Sequence, residues 1–384
     1  MKEIKIHNKS RKPDNILEKE HQIYEKCEEI ERELPVWLRG YFAYLKNNLL
    51  PMSRLAYLRD TRFFFRYLIN ETEIREEITE IKRLKPEHFD ALTSVDVNIY
   101  IDYLRRYKVE SNDSITVYEN EQRSLARRKS TVSVLFKYLY RDGLVSRNIT
   151  DGFDPIRLPK AGEREIKALQ DDEVVRMLDA VEQGSGLTKS ERTFWQKTKY
   201  RDRLILLMLV TYGLRLSELQ QLNISSFNFE RGEFLIYRKR GKESTMPLNN
   251  TIMHAFNDYV SLERPQDDRL ADEYKDALLL SLQDRRLTDR QIREIVKKYT
   301  SISLGTSRKQ GYSPHKLRAT AATSLIGRGH SIYDVQELMD HDHVTTTQLY
   351  AAHRLRAKRE LIKDFEWDET LNAQAQAKPD NEKE

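Results

Sequence analysis

Apolar residues recurring three and four positions apart fill two long stretches of this chain, and one stretch without any period separates them. Such spacing places side chains on one face of a helix. The sequence therefore commits to two bodies that are mainly α, with a small β element in the second. In the first body Trp37, Leu38, Tyr41, Phe42 and Leu45 follow the helical spacing, and Leu55, Leu58, Phe63, Phe64, Tyr67 and Leu68 resume it after Pro51. Thr93-Ser-Val-Asp96 is a capping box opening a helix that carries Val97, Tyr100, Ile101 and Leu104. A further helix is expected from about Tyr118 to Arg141, stopping at Asp142-Gly143. Residues 35–146 thus read as an all-helical domain of four or five helices, preceded by a polar N-terminal extension over 1–34.

Residues 146–170 have two prolines, two glycines and no period, and we place the linker at 147–165. The second domain spans 166–366. Helices are expected at 171–182, 200–213, 249–262, 287–299, 315–328 and 332–340. Between 226 and 248 the period changes to that of short strands around a basic turn, Arg238-Lys-Arg-Gly-Lys242. Residues 367–384 are polar and read as a disordered tail.

Composition narrows the function classes. Glycine is scarce, 13 in 384, against a usual share of about 7 %. Folds that cradle phosphates in glycine-rich loops are disfavoured, and Gly184-Ser-Gly186-Leu-Thr-Lys189-Ser190 has the wrong spacing for a phosphate-loop lysine. No apolar run approaches the ~18 residues of a membrane-spanning helix. The opening MKEIKIHNKSRKPDN lacks the apolar core of a secretory signal. Cys27 is the lone cysteine, so an internal disulfide framework is excluded and a cytoplasmic location is expected. Net charge is +5 from 66 basic and 61 acidic residues, which permits a nucleic-acid partner without establishing one.

Three segments set polar residues into apolar helical surroundings. In Tyr212-Gly-Leu-Arg215-Leu-Ser-Glu218-Leu, Glu218 lies one turn from Arg215 and can orient its guanidinium; a plain surface ion pair has the same spacing. In Ser313-Pro-His315-Lys-Leu-Arg318, histidine and arginine project from one helix face, suited to taking a proton and holding an anionic oxygen, or to a buried histidine beside a surface arginine. The third is Leu338-Met-Asp340-His341-Asp-His343-Val-Thr345-Thr-Thr347-Gln-Leu-Tyr350. Its ligand-type residues are nearly consecutive and converge poorly on one ion, so no metal is expected.

Together these segments resemble the tyrosine recombinase, or phage integrase, family over nearly the whole chain. Gly213–Leu219 matches the family pattern G-L-R-x-S-E-L, His315 and Arg318 match H-x-x-R, and the segment from Leu338 aligns with L-G-H-x-x-x-x-T-T-x-x-Y. The resemblance implies a two-domain DNA clamp with a helical core-binding domain and a catalytic domain. It makes Tyr350 the nucleophile, giving a 3′-phosphotyrosine; Arg215 and Arg318 the phosphate ligands; His315 the proton acceptor; Lys239 the general acid; and His341 a phosphate hydrogen-bond donor. Glu218 supports Arg215, and Lys242 is the second basic residue of the hairpin turn. Asp340 departs from the pattern, standing where the family has glycine; aspartate tolerates unusual backbone angles better than most residues. Arg123, Arg127, Arg128 and Lys129 on the last helix of the first domain become expected DNA contacts.

The implied partner is double-stranded DNA at a specific site, with a homotetramer in the synapse and neither cofactor nor metal. Glu33-Leu-Pro35-Val-Trp-Leu and Tyr41-Phe-Ala-Tyr44 are most similar to the single-recombinase XerS type, which implies chromosome dimer resolution. With no arm-binding domain expected before residue 30, the Xer type is favoured over a mobile-element integrase. A catalytically silent DNA-binding homologue is a third reading. Leu355, Leu361, Ile362 and Phe365 would form a tail helix after Tyr350, which in the family docks on a neighbouring protomer.

Overall fold

The computed structural model describes residues 12–111, 114–158, 167–238 and 241–340. The chain divides into two compact units, Met1–Pro159 and Lys160–Glu384.

The first unit contains α1 (Asp14–Glu33), α2 (Arg39–Asn48), α3 (Pro51–Glu71), α4 (Pro86–Asp90), α5 (Ser94–Tyr103), a hairpin of β1 (Arg106–Ser111) and β2 (Ser114–Glu119), and α6 (Gln122–Arg141). Its core is aromatic: Phe64, Phe65, Phe89, Tyr100 and Phe136 are almost wholly buried. Thr93 and Asp96 form the expected capping box at the start of α5.

Three expectations change here. The polar extension is structural, because Cys27, Ile30 and Leu34 are part of the unit's core, Ile23 packs against it, and Ile16 is also buried. Buried Arg54 ties α3 to Glu31 of α1 at 2.5 Å, and Arg62 reaches Glu33 at 2.6 Å. Dense charges on either side of this narrow apolar stripe hide its core role in the sequence. Second, the unit is not all helical. Residues 106–119 pair antiparallel, with Tyr107 opposite Tyr118 and their rings 5.2 Å apart; β-branched Val109, Ile115, Thr116 and Val117 favour strand over helix. The last helix therefore starts at Gln122, four residues later than expected. Third, the first part of the linker lies on the helical unit. Ile149 and Phe153 are buried there, and Asn98 Nδ2 donates to the Gly152 carbonyl at 3.2 Å.

The second unit is built around α9 (Lys199–Tyr212), in which every residue from Leu204 to Leu209 is buried. A helix apolar all round must be enclosed. It is packed by α7 (Asp171–Gln183), α11 (Asn250–Leu262), α12 (Asp289–Ser303) and α13 (Pro314–Gly327). The remaining elements are α8 (Lys189–Trp195), α10 (Leu216–Gln220), α14 (Ile332–Met339) and an antiparallel sheet β3 (Phe227–Asn228), β4 (Glu233–Tyr237), β5 (Glu243–Pro247) in that order. α7, α9, α11, α12, α13, α14 and the strands agree closely with the segments read from the sequence, whereas α8 and α10 were not among them. One buried charge cluster staples the core: Asp202 accepts from Arg201 at 2.7 Å, Lys298 at 3.0 Å and the Tyr299 hydroxyl at 3.2 Å. No helix among the described residues is long and apolar enough to cross a membrane.

Candidate active site

The site forms where α14 ends. Its cap residue, Asp340, has left-handed backbone angles (φ 50°, ψ 55°), which explains how aspartate stands at a position where the family pattern has glycine. A helix end leaves its last carbonyls without intrahelical donors and concentrates partial negative charge. Three arginines from three elements supply the donors. Arg238, at the end of β4, donates from Nη2 to the Leu338 carbonyl at 2.7 Å. Arg318 of α13 donates from Nη2 to the Met339 carbonyl and from Nη1 to the Gly213 carbonyl. Arg215 donates from Nη2 to the Asp340 carbonyl at 2.8 Å. Consecutive carbonyls thus gather three guanidiniums.

Each arginine is set by local structure. Helix α9 exits at Gly213, whose φ of 59° suits glycine; a Cβ there would lie 2.6 Å from Met339 Cε. The turn brings Arg215 to the N-cap of α10, where Glu218 accepts from its backbone N–H and from Nη1, both at 2.8 Å. Glu218 is 2 % exposed, so the pair is a buried support rather than a surface ion pair. Pro314 opens α13, and Arg318 one turn later is buried. His315 sits at the exposed start of the same helix. Partial desolvation and then the Lys316 and Arg318 charges push its imidazole below the ordinary value, which favours the neutral, proton-accepting form.

Asp340 adds an anion. Its Oδ1 accepts from Lys242 Nζ at 2.9 Å, and its Oδ2 lies 3.5 Å from Arg215 Nη1. Desolvation opposes its charge, but the Lys242 hydrogen bond and the Arg238, Lys242 and Arg215 charges outweigh it and hold the carboxyl below the usual range.

Among known proteins, the Phage integrase family model matches residues 167–356. The tyrosine recombinase XerC of Pelotomaculum thermopropionicum is 30 % identical over 270 residues, covering 69 % of this chain and 79 % of that one. The tyrosine recombinase XerD of Staphylococcus epidermidis is 29 % identical over 267 residues, covering 66 % and 84 %. A structure of XerH site-specific recombinase bound to palindromic difH substrate, a post-cleavage complex, aligns with TM-score 0.56 at 17 % identity, covering 94 % and 92 %; that likeness concerns the fold. The chain belongs to the phage integrase family. It is a tyrosine recombinase, an enzyme that cuts and rejoins DNA strands.

The structure of this recombinase brings Arg215, Glu218, Arg318 and Lys242 together around the end of α14, with His315 one turn from Arg318. Lys239, His341 and Tyr350 lie outside the described residues. Sequence reasoning missed Arg238 as part of the cluster, although a signal existed. Phe234 and Ile236 of β4 and Arg238 directly after it alternate, and all three are buried, so continuing the strand period aims Arg238 inward.

The four basic residues of α6 have different fates. Arg123 is exposed. Arg127 pairs with buried Asp60, Arg128 lies 4.6 Å over the Phe63 ring, and Lys129 donates to the Phe153 and Asp154 carbonyls. Arg127 and Arg128 nonetheless line a depression of about 360 Å³ together with Arg59, Arg62 and Arg66 of α3. Those α3 arginines, spaced three and four apart, were also missed.

Proposed function

We propose that this recombinase acts on double-stranded DNA at a specific site through a 3′-phosphotyrosine intermediate, as an Xer-type enzyme that resolves chromosome dimers in the cytoplasm. The first unit is the core-binding domain and the second the catalytic domain. Arg215 and Arg318 bind the non-bridging oxygens of the scissile phosphate, where charge grows in the transition state. Tyr350 Oη forms a bond to phosphorus, the bond from phosphorus to the 5′ oxygen breaks, His315 accepts the phenol proton, and Lys239 donates one to the leaving oxygen. His341 hydrogen-bonds the phosphate, Glu218 fixes Arg215, and Lys242 with the α6 residues Arg123, Arg127, Arg128 and Lys129 contacts the duplex. The phosphodiester energy is kept in the phosphotyrosine, so ligation consumes no nucleotide cofactor. Four copies assemble the synapse.

One observation carries this reading: Arg215 and Arg318 grip the adjacent carbonyls of residues 340 and 339, so two phosphate-type donors converge directly before His341. The test is Tyr350→Phe on a nicked duplex bearing the recombination site. Covalent protein–DNA adduct is expected to vanish while binding stays near wild type. A denaturation-stable adduct from the Phe variant would remove Tyr350 as nucleophile, and wild type without adduct would favour a silent homologue.

A further inference from the structure

A carboxylate in a phosphate-binding cluster is a physical puzzle, because it repels the substrate that the cations attract. We propose that Asp340 is a built-in placeholder for the scissile phosphate: its carboxylate holds Arg215 and Lys242 before DNA arrives, and the phosphate takes both cations from it. The inference rests on the assignment of Arg215 as a phosphate ligand.

The two acids that touch Arg215 differ in a way that separates support from placeholder. Glu218 is 2 % exposed and bonds both the backbone and the side chain of Arg215, so it is a permanent backing. The Asp340 side chain is 20 % exposed and shares its two oxygens between Arg215, itself 32 % exposed, and Lys242, 68 % exposed. The carboxylate is thus less buried than Glu218, and both cations it holds are more exposed than it is, so an incoming anion can reach them. Carboxylate and phosphate present comparable oxygen pairs to a guanidinium. Displacement needs only side-chain rotation. The Asp340 backbone has an anchor apart from the two cations, its N–H bonded to the Gln336 and Glu337 carbonyls of α14.

The placeholder also answers a packing problem. Arg215, Arg238 and Arg318 crowd one helix end, and among the described residues the buried Arg238 Nε has no hydrogen-bond partner. Without an anion in front, Arg215 and Lys242 would repel and splay. With one, they wait in place, and a phosphate must out-compete Asp340 to bind. Poorly seated phosphates gain less from the exchange than one that reaches both cations.

Asparagine keeps the shape of Asp340 and tolerates its left-handed angles, so Asp340→Asn removes the charge alone; Asp340→Gly is the second variant should Asn perturb folding. The probe is a short random-sequence duplex bound to the full chain, read by fluorescence anisotropy across a salt series. Each variant is expected to bind several-fold tighter. The slope of log affinity against log salt should change little, because wild type and variants end with the same cations on phosphate; a variant slope steeper by about 0.9 per cation would mean that Asp340 keeps them in the complex, which overturns the displacement. Asp334→Asn, an exposed position on the same helix, controls for net charge and should change binding less. Unchanged or weaker binding by both Asp340 variants, or an equal gain from Asp334→Asn, overturns the proposal. The readout involves no cleavage, so it stands apart from the Tyr350→Phe test: loss of the catalytic assignment leaves this measurement interpretable, and the reverse also holds.

Discussion

Arg215 and Arg318 hold the end of α14 with the same planar groups that are proposed to bind phosphate. Arg318 donates to the Gly213 and Met339 carbonyls, and Arg215 donates to the Asp340 carbonyl and to Glu218, with the Asp340 carboxylate a looser neighbour. The guanidinium fork matches two acceptors at once, which a lysine ammonium does not. Alanine at either position should lower single-turnover cleavage by about 10²-fold or more, the usual cost of one preorganised donor to a developing oxyanion. Lysine should recover little of it. Cleavage within a few-fold of wild type for either alanine variant would remove that residue from the phosphate site. The pair was legible in the sequence because the motifs hold it at fixed spacing from Glu218 and His315. The third guanidinium, Arg238, belonged to no motif and was readable only from the inward alternation of β4.

At the scale of elements, the site depends on how α9, α13 and α14 end against one another. Gly213 is the joint: its left-handed φ turns the chain from α9 toward Arg215, its carbonyl accepts from Arg318, and its missing Cβ leaves room for Met339. Gly213→Ala should cost at least the about 1–2 kcal/mol of placing an L-residue in that region, with the Met339 contact adding to it. A lower Tm accompanied by reduced cleavage is the expected pair of results. Full activity at unchanged Tm would mean that the joint is not required. At the other end of α9, the Asp202 cluster holds it to α12 through charges that would be costly to bury singly. It lies away from the arginines and serves the frame that fixes them.

For the whole molecule, the two units carry different work. The first presents a basic depression assembled from α3 and α6, and the second presents the arginine cluster at the end of α14. Residues beyond Asp340 lie outside the described structure, yet their sequence makes a definite prediction. Deleting residues 353–384, with Leu355, Leu361, Ile362 and Phe365, should leave binding to one half-site largely unchanged while reducing cooperative pairing and recombination. Gel-shift titration on one-half-site and two-half-site DNA reads the difference. Unchanged cooperativity and recombination after the deletion would defeat protomer exchange through the tail.

Periodicity, capping residues and linear motifs are local properties, and local properties are what a sequence displays. The longer helices of the second unit, the Thr93–Asp96 cap, the strands around 226–248 and the spacing of Arg215, Glu218, His315 and Arg318 were readable for that reason, whereas the short α8 and α10 were not read. The hairpin at 106–119 could also have been read from its β-branched residues, but helical neighbours on both sides masked it. What only the tertiary structure decided depends on distant residues meeting. The α1 stripe became core because α3 offers Arg54 and Arg62 to its glutamates. The α6 cations found Asp60, Phe63 and the Phe153 and Asp154 carbonyls. Asp340 became an anion between Arg215 and Lys242, residues 125 and 98 positions away in the chain, because a left-handed helix cap turned it toward them.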